Sequence, residues 1–146
     1  MAQLHCEVVT AERRVFEDDV SMVVAPGIEG QLGILPHHAP LMTALTFGEL
    51  HIQREGQEDV YIAIGGGSME VGPQHVIILA DSAERADEID IARAEEARHK
   101  AEKTMTQVRR EDVDYAQAEA ALRRSLIRMK VARRMQRGPM RRPDTE

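Results

Sequence analysis

The chain has 146 residues, one cysteine, no tryptophan, two phenylalanines and two tyrosines. That is about one domain's length, with an aliphatic core, no internal disulfide, and a single Cys6 that suits a reducing compartment. No run of ~18 apolar residues is present and the start, MAQLHCEVV, carries no basic-then-apolar leader, so neither a membrane span nor a secretory signal is expected. The net charge of −6 is uneven. Residues 1–86 hold 13 acidic and 4 basic side chains, whereas residues from 120 onward hold 9 basic and 2 acidic. An acidic head and a basic tail imply different partners for the two parts.

In the first 86 residues apolar positions recur with period two. Leu4, Cys6 and Val8 alternate with polar neighbours, as do Met22 and Val24, Leu32 and Ile34, Leu50 and Ile52, Met69 and Val71. The runs VYIAI (60–64) and HVIILA (75–80) are continuously apolar, which predicts strands buried on both faces. Turn signals separate these runs at Pro26-Gly27, Glu29-Gly30, Glu55-Gly56, Gly65-Gly66-Gly67 and Gly72-Pro73. Many short strands so closely spaced predict an antiparallel β-sandwich or barrel over residues 1–86.

From residue 87 the period becomes helical. Asp87 is a candidate cap, with Glu88 and Asp90 in the first turn, and Ala94, Ala97, Ala101, Met105 and Val108 form one stripe. RREDVD (109–114) breaks the pattern and offers Asp112 as a second cap. Tyr115, Ala118, Leu122, Leu126 and Met129 form a second stripe that ends by Gly138-Pro139. The expected fold class is therefore α+β: the sandwich, an antiparallel two-helix hairpin over 87–137, and a basic, disordered tail over 138–146. The helical stripes are thin and Ala-rich. A buried methyl stabilises by only ~0.8 kcal/mol, against ~1–2 kcal/mol of backbone entropy per ordered residue. Such a hairpin needs a surface to pack on, and these residues fit equally a hairpin that leaves that surface and one permanently docked on the sandwich.

Two local features invite a chemical reading. His37 and His38 stand between Pro36 and Pro40, but adjacent side chains diverge and no acidic residue lies between Gln31 and Leu45, so no metal site is expected. The prolines instead fix a loop. Gly65-Gly66-Gly67 lies between strands and opens no helix, so it lacks phosphate-loop geometry and reads as a bulge or a close backbone approach to another chain. Ser21, Ser68, Ser82 and Ser125 sit in no elbow or triad context, so no catalytic residue is expected.

Taken together, FEDDV (16–20), GQLGILPHHAPL (30–41), YIAIGGGSMEV (61–71), VIILADSAERADEID (76–90), IDIARA (89–94) and DVDYAQAEAAL (112–122) resemble the epsilon subunit of bacterial F-type ATP synthases. The resemblance implies a non-catalytic rotor subunit, peripheral to the cytoplasmic face of the bacterial inner membrane as part of the complex. Its partners would be the gamma subunit, the ring of c subunits and the alpha/beta catalytic hexamer. Gln31, Leu32, Pro36, His37 and His38 would belong to the loop facing the ring. No cofactor would be required, with ATP as a regulatory ligand. IDIARA matches the family's nucleotide-binding pattern, giving Asp90 and Arg93 on one helical face with Lys100 seven residues beyond, and with Arg124 and Arg128 on the second helix. Gln117 and Lys100 stand where the strongest ATP binders have arginines. An extended hairpin would place Arg123, Arg124, Arg128, Arg133 and Arg134 against acidic loops of beta and block hydrolysis.

The residues also admit other readings. Asp90 can serve only the helix dipole and the arginines can be a solvated face. A free-standing nucleotide sensor would need no gamma. A nucleic-acid-binding module is disfavoured by the acidic body and the scarcity of aromatic residues to stack bases.

Overall fold

The structure, a computed structural model, describes residues 2–136; the tail 138–146, the end of the expected hairpin at 137 and the Gly138-Pro139 stop lie outside them. Eight strands come first: β1 (Leu4–Val9), β2 (Arg14–Val20), β3 (Met22–Gly27), β4 (Gly30–Ile34), β5 (Leu41–Gln53), β6 (Val60–Val71), β7 (His75–Ala80) and β8 (Ala83–Arg85). A single 3₁₀ turn, Ala86–Glu88, leads into α1 (Ile91–Gln107) and α2 (Val113–Gln136). This is the expected α+β arrangement of a sandwich followed by two helices.

The long strands β5 and β6 make the sandwich by serving both layers. Their outer halves, Leu41–Leu45 against Gly67–Val71, continue through β7 and β1 to β2. Their inner halves pair again at Gly48–Ile52 and Val60–Ile64, flanked by β3 and β4 on one side and β8 on the other. Both halves must point a face into one core, so the alternation has to slip by one residue at the bend. It does: in β6 the inward residues change from Ile62 and Ile64 to Met69 and Val71 across the three glycines. Leu4, Val8, Val23, Leu50, Ile52, Ile62, Ile64, Met69, Val76 and Ile78 close the core from both layers.

The glycine triplet is this corner. Gly66 and Gly67 have φ of +96° and +141°, and a Cβ on Gly67 would run into the carbonyl oxygen of Leu79. Within this chain the close approach is to β7. Gly65 accepts its place through its N–H, which donates to Ser82 O at 3.0 Å.

Three strand expectations are corrected. β1 and β7 pair in parallel, so the sandwich is not wholly antiparallel. In β3 the buried residues are Val23 and Ala25, not Met22 and Val24. MVVA offers two apolar phases, and pairing with Ile34 and Ile52 selects the one that meets the core. β7 is buried on one face only: Leu79 is 55% exposed, because among the described residues no element covers that side. β6 does have the expected two-sided burial over 60–64, since Ala63 and half-buried Tyr61 meet the hairpin.

The helix caps also differ from the sequence reading. Asp87 falls in the 3₁₀ turn, and Asp90 is the N-cap of α1, its carboxylate accepting from Arg93 N–H at 3.2 Å. Asp112 precedes α2, but its carboxylate accepts backward from Arg109 N–H at 3.3 Å. The two helices pack along each other. Ala94 and Ala101 are buried on α1, and Ala118, Ser125 and Ala132 on α2. Leu126, expected in the stripe, is 48% exposed. Instead α2 carries a second apolar strip, Ile127 and Val131, which packs on Tyr61, Ala63, Ala86 and Ile89. The hairpin thus gains the surface its thin stripe needs, and gains it through α2.

At the far edge of the first layer, His5 sits between Asp19 Oδ1 at 2.9 Å and Glu17 Oε1 at 3.1 Å. The hydrogen bond to Asp19, then that to Glu17, raises its pKa above 6.5. Its stabilising effect is present below pH 6.5 and is lost as pH rises through the raised value.

Candidate functional site

The linker between sandwich and hairpin is tied at both ends. Arg13 on the β1–β2 turn grips Glu88 at 2.7 Å, and this hydrogen bond holds the Glu88 carboxyl below its ordinary pKa. Ile89 packs beneath α2, and Asp90 then starts α1. The chain is thus fixed to the sandwich up to Glu88, and any movement of the hairpin pivots just after it.

Beyond the linker, α2 lies across β5, β6 and β8 by its arginine side. Arg128 Nε donates to Glu84 Oε2 at 2.6 Å, and Arg134 holds Glu49 through two contacts of 3.1 and 2.9 Å. Arg134 also lies over the Tyr61 ring, 4.9 Å from its centroid, and Arg123 lies over Phe47 at 4.6 Å. Tyr61 in turn stacks on His51, which bonds Asp59 at 2.8 Å. The Glu49 carboxylate is only 10% exposed, so its contact with Arg134 is drier than the surface pairs elsewhere. Arg134 has its pKa raised by that hydrogen bond. These contacts occupy three of the five arginines expected to meet another subunit; Arg123, Arg124 and Arg133 are exposed and have no ion-pair partner among the described residues.

Of the five expected nucleotide ligands, the structure brings two together. Arg124 and Arg128 line one groove with Gly65, Ser82 and Glu84. Its volume is about 110 Å³, whereas ligand pockets usually run to ~300–1,000 Å³. It has room for a phosphate but not for a whole nucleotide. Asp90, Arg93 and Lys100 lie on α1 and line no part of it; Arg93 and Lys100 are exposed. Asp90 makes no side-chain pair with Arg93 and caps the helix.

The histidine loop joins β4 to β5. His37 takes a left-handed φ of +67° and its N–H donates to Pro73 O at 2.7 Å, which ties the loop to the β6–β7 turn. His38 Nδ1 lies 2.6 Å from Ala39 O. The two rings therefore have separate settings. Gln31 and His37 are exposed, Pro36 and His38 half-buried, and Leu32 packs on the core. Among the described residues no group of three or more His, Cys, Asp or Glu is placed to hold a metal.

Sequence reasoning missed the acceptors Glu49, Glu84, Phe47 and Tyr61, and the strip Ile127–Val131. A signal for the strip exists: Arg124, Ile127, Val131 and Arg134 recur at helical steps of three and four.

The comparisons agree with this architecture. Residues 3–86 match the family model "ATP synthase, Delta/Epsilon chain, beta-sandwich domain", and residues 87–133 match "ATP synthase, Delta/Epsilon chain, long alpha-helix domain". An ATP synthase epsilon chain of Dehalococcoides mccartyi is 52% identical over 95% of this chain and 99% of its own. One from Herpetosiphon aurantiacus is 54% identical over 89% of this chain and 94% of its own. The fold is also that of a chain in the Euglena gracilis mitochondrial ATP synthase OSCP/F1/c-ring structure, with a TM-score of 0.77 at 22% identity, covering 90% of this chain and 82% of that one. With both domains matched in order, and with relatives half identical along nearly the full length, the chain belongs to the ATP synthase epsilon-chain family and is a non-catalytic subunit.

Proposed function

We propose that the chain is a central-stalk rotor subunit of the proton-translocating F-type ATP synthase, held at the cytoplasmic face of the inner membrane through the complex. In this reading the sandwich joins gamma to the c ring. The hairpin is a brake that extends toward the alpha/beta hexamer and opposes ATP hydrolysis.

The observation that carries this reading is the uncovered outer face of the first layer. The hairpin packs on β5, β6, β8 and the 3₁₀ turn, and among the described residues nothing covers the opposite face. There Met42 is 76% and Leu79 55% exposed, and half-exposed Ile77 and Val9 share their rows, with Glu70 between Met42 and Ile77, Glu7 beyond Ile77, and Ser68 beside Leu79. Ile28, 63% exposed, adjoins them through its N–H to Ala44 O at 3.3 Å. A surface of exposed apolar side chains interleaved with Glu7, Ser68 and Glu70 fits a protein partner, assigned here to gamma. The tied loop of Gln31, Leu32, Pro36, His37 and His38 is assigned to the ring. Met42→Glu with Leu79→Glu is the test. The doubly substituted chain keeps its melting temperature and loses co-purification with gamma; retained gamma would remove this face from the account.

ATP enters as a regulatory ligand of the docked hairpin, with Arg124 and Arg128 at the phosphates and Asp90, Arg93 and Lys100 brought in by a shift of α1. A ligand shifts the hairpin only by its difference in affinity between the two positions. In calorimetry on the isolated chain, Arg93→Ala and Arg124→Ala each weaken ATP binding by about tenfold, the loss of roughly one charge-assisted hydrogen bond. No heat at millimolar ATP, or unchanged binding in both variants, removes the nucleotide.

A further inference from the structure

Two of the arginines expected at the acidic partner are already paired on the sandwich. In the docked hairpin Arg128 is held by Glu84 and Arg134 by Glu49 and the Tyr61 ring. We propose that Glu49 and Glu84 are a latch on the sandwich that competes with the hairpin's acidic partner for one set of arginines. The inference rests on the brake reading, and adds to it the residues that set the brake's resting position.

The physical case is in the geometry. Glu49 lies on β5 and Glu84 on β8, so the contacts spread along α2 from residue 128 to residue 134. Between them Val131, fully buried, contributes shape but no direction. Both pairs are half-buried and each arginine meets its carboxylate with two nitrogens, which strengthens and orients the contact relative to an exposed pair. If α2 leaves, Glu49 and Glu84 stay behind on the strands while Arg128 and Arg134 travel with the helix. Undocking therefore frees cations and leaves anions on the sandwich. The partner's acidic surface gains only what exceeds the latch it replaces.

This gives an asymmetry that variants can read. Removing the arginines weakens both positions of the hairpin, so its net effect is small. Neutralising the sandwich carboxylates weakens the docked position alone and leaves every residue of α2 intact.

The experiment uses the full chain carrying Glu49→Gln, alone and with Glu84→Gln, each isosteric with the original. In the isolated chain, hydrogen exchange of the α2 amides accelerates by about tenfold for the single variant, equivalent to ~1.4 kcal/mol, and further for the double, while exchange in the β1 and β7 amides is unchanged. Arg134→Gln gives the same acceleration, and combining it with Glu49→Gln adds nothing. In the assembled enzyme the double carboxylate variant hydrolyses ATP more slowly than the wild type. Unchanged α2 exchange in the double variant, or additive effects of Glu49→Gln and Arg134→Gln, overturns the latch. Accelerated exchange with unchanged hydrolysis upholds the latch and contradicts the brake reading on which its role in the enzyme rests.

Discussion

Gly67→Ala is expected to lower the melting temperature of the chain by about 10 °C, whereas Gly33→Ala leaves it nearly unchanged. Gly67 sits at φ +141°, a region that costs a side chain ~1–3 kcal/mol. The added Cβ also meets the Leu79 carbonyl and lies 2.9 Å from Ala80 Cα. Those are backbone atoms of the paired strand and cannot swing aside, so the Gly67–Ala80 pairing has to open. A total of ~3 kcal/mol is a large part of the ~5–15 kcal/mol by which a domain is stable, and at ~2–4 °C per kcal/mol for a chain somewhat larger than this it sets the size of the shift. Gly33 has nothing within 4 Å of its Cβ position. Thermal unfolding checks the pair. Equal melting temperatures would mean that the corner of β6 is not the constraint that lets one strand serve both layers.

Deleting residues 112–146 is expected to raise ATP hydrolysis by the assembled enzyme severalfold while synthesis continues. The deletion removes α2, which carries the Ile127–Val131 strip and the arginines that reach the sandwich. What remains keeps the outer face of the first layer, with Met42 and Leu79, so assembly persists. The five-residue change of Arg123, Arg124, Arg128, Arg133 and Arg134 to Ala has a smaller effect than the deletion, because three of those arginines also hold the docked position. Hydrolysis and synthesis rates measured on the same preparations decide it. Hydrolysis unchanged by the deletion means that the hairpin is no brake in this enzyme.

The strands were legible where only one apolar phase was available. Leu4, Cys6 and Val8, or Leu50 and Ile52, face the core as their spacing of two demands. β3 was not, because Met22-Val23-Val24-Ala25 is apolar in both phases and only its neighbours choose between them. β7 misled for a different reason. An apolar run is a statement about what could be buried, and Ile77 and Leu79 face outward with nothing among the described residues to cover them. That excess was itself the informative signal, since it marks the face assigned to a partner.

The candidate site was legible only in part. Asp90 was named, and its cap follows from its position before Ile91, but Asp87 competed for the role with the same chemistry. Arg124 and Arg128, expected on one helical face, line one groove. Their counter-ions were out of reach of local pattern: Arg128 meets Glu84 across 44 residues and Arg134 meets Glu49 across 85. Such pairs follow from how α2 lies on β5 and β8, and that follows from Val131 finding Ala63 and Ala86, none of which a helical stripe discloses.

The central claim is that this chain works as a rotor subunit. Affinity purification of the full-length chain from cells making the synthase tests it most directly. The account predicts recovery with gamma, c subunits and the alpha/beta hexamer, and loss of gamma in the Met42→Glu, Leu79→Glu variant. Recovery of the wild-type chain alone, or with nucleic acid in place of those subunits, would contradict it.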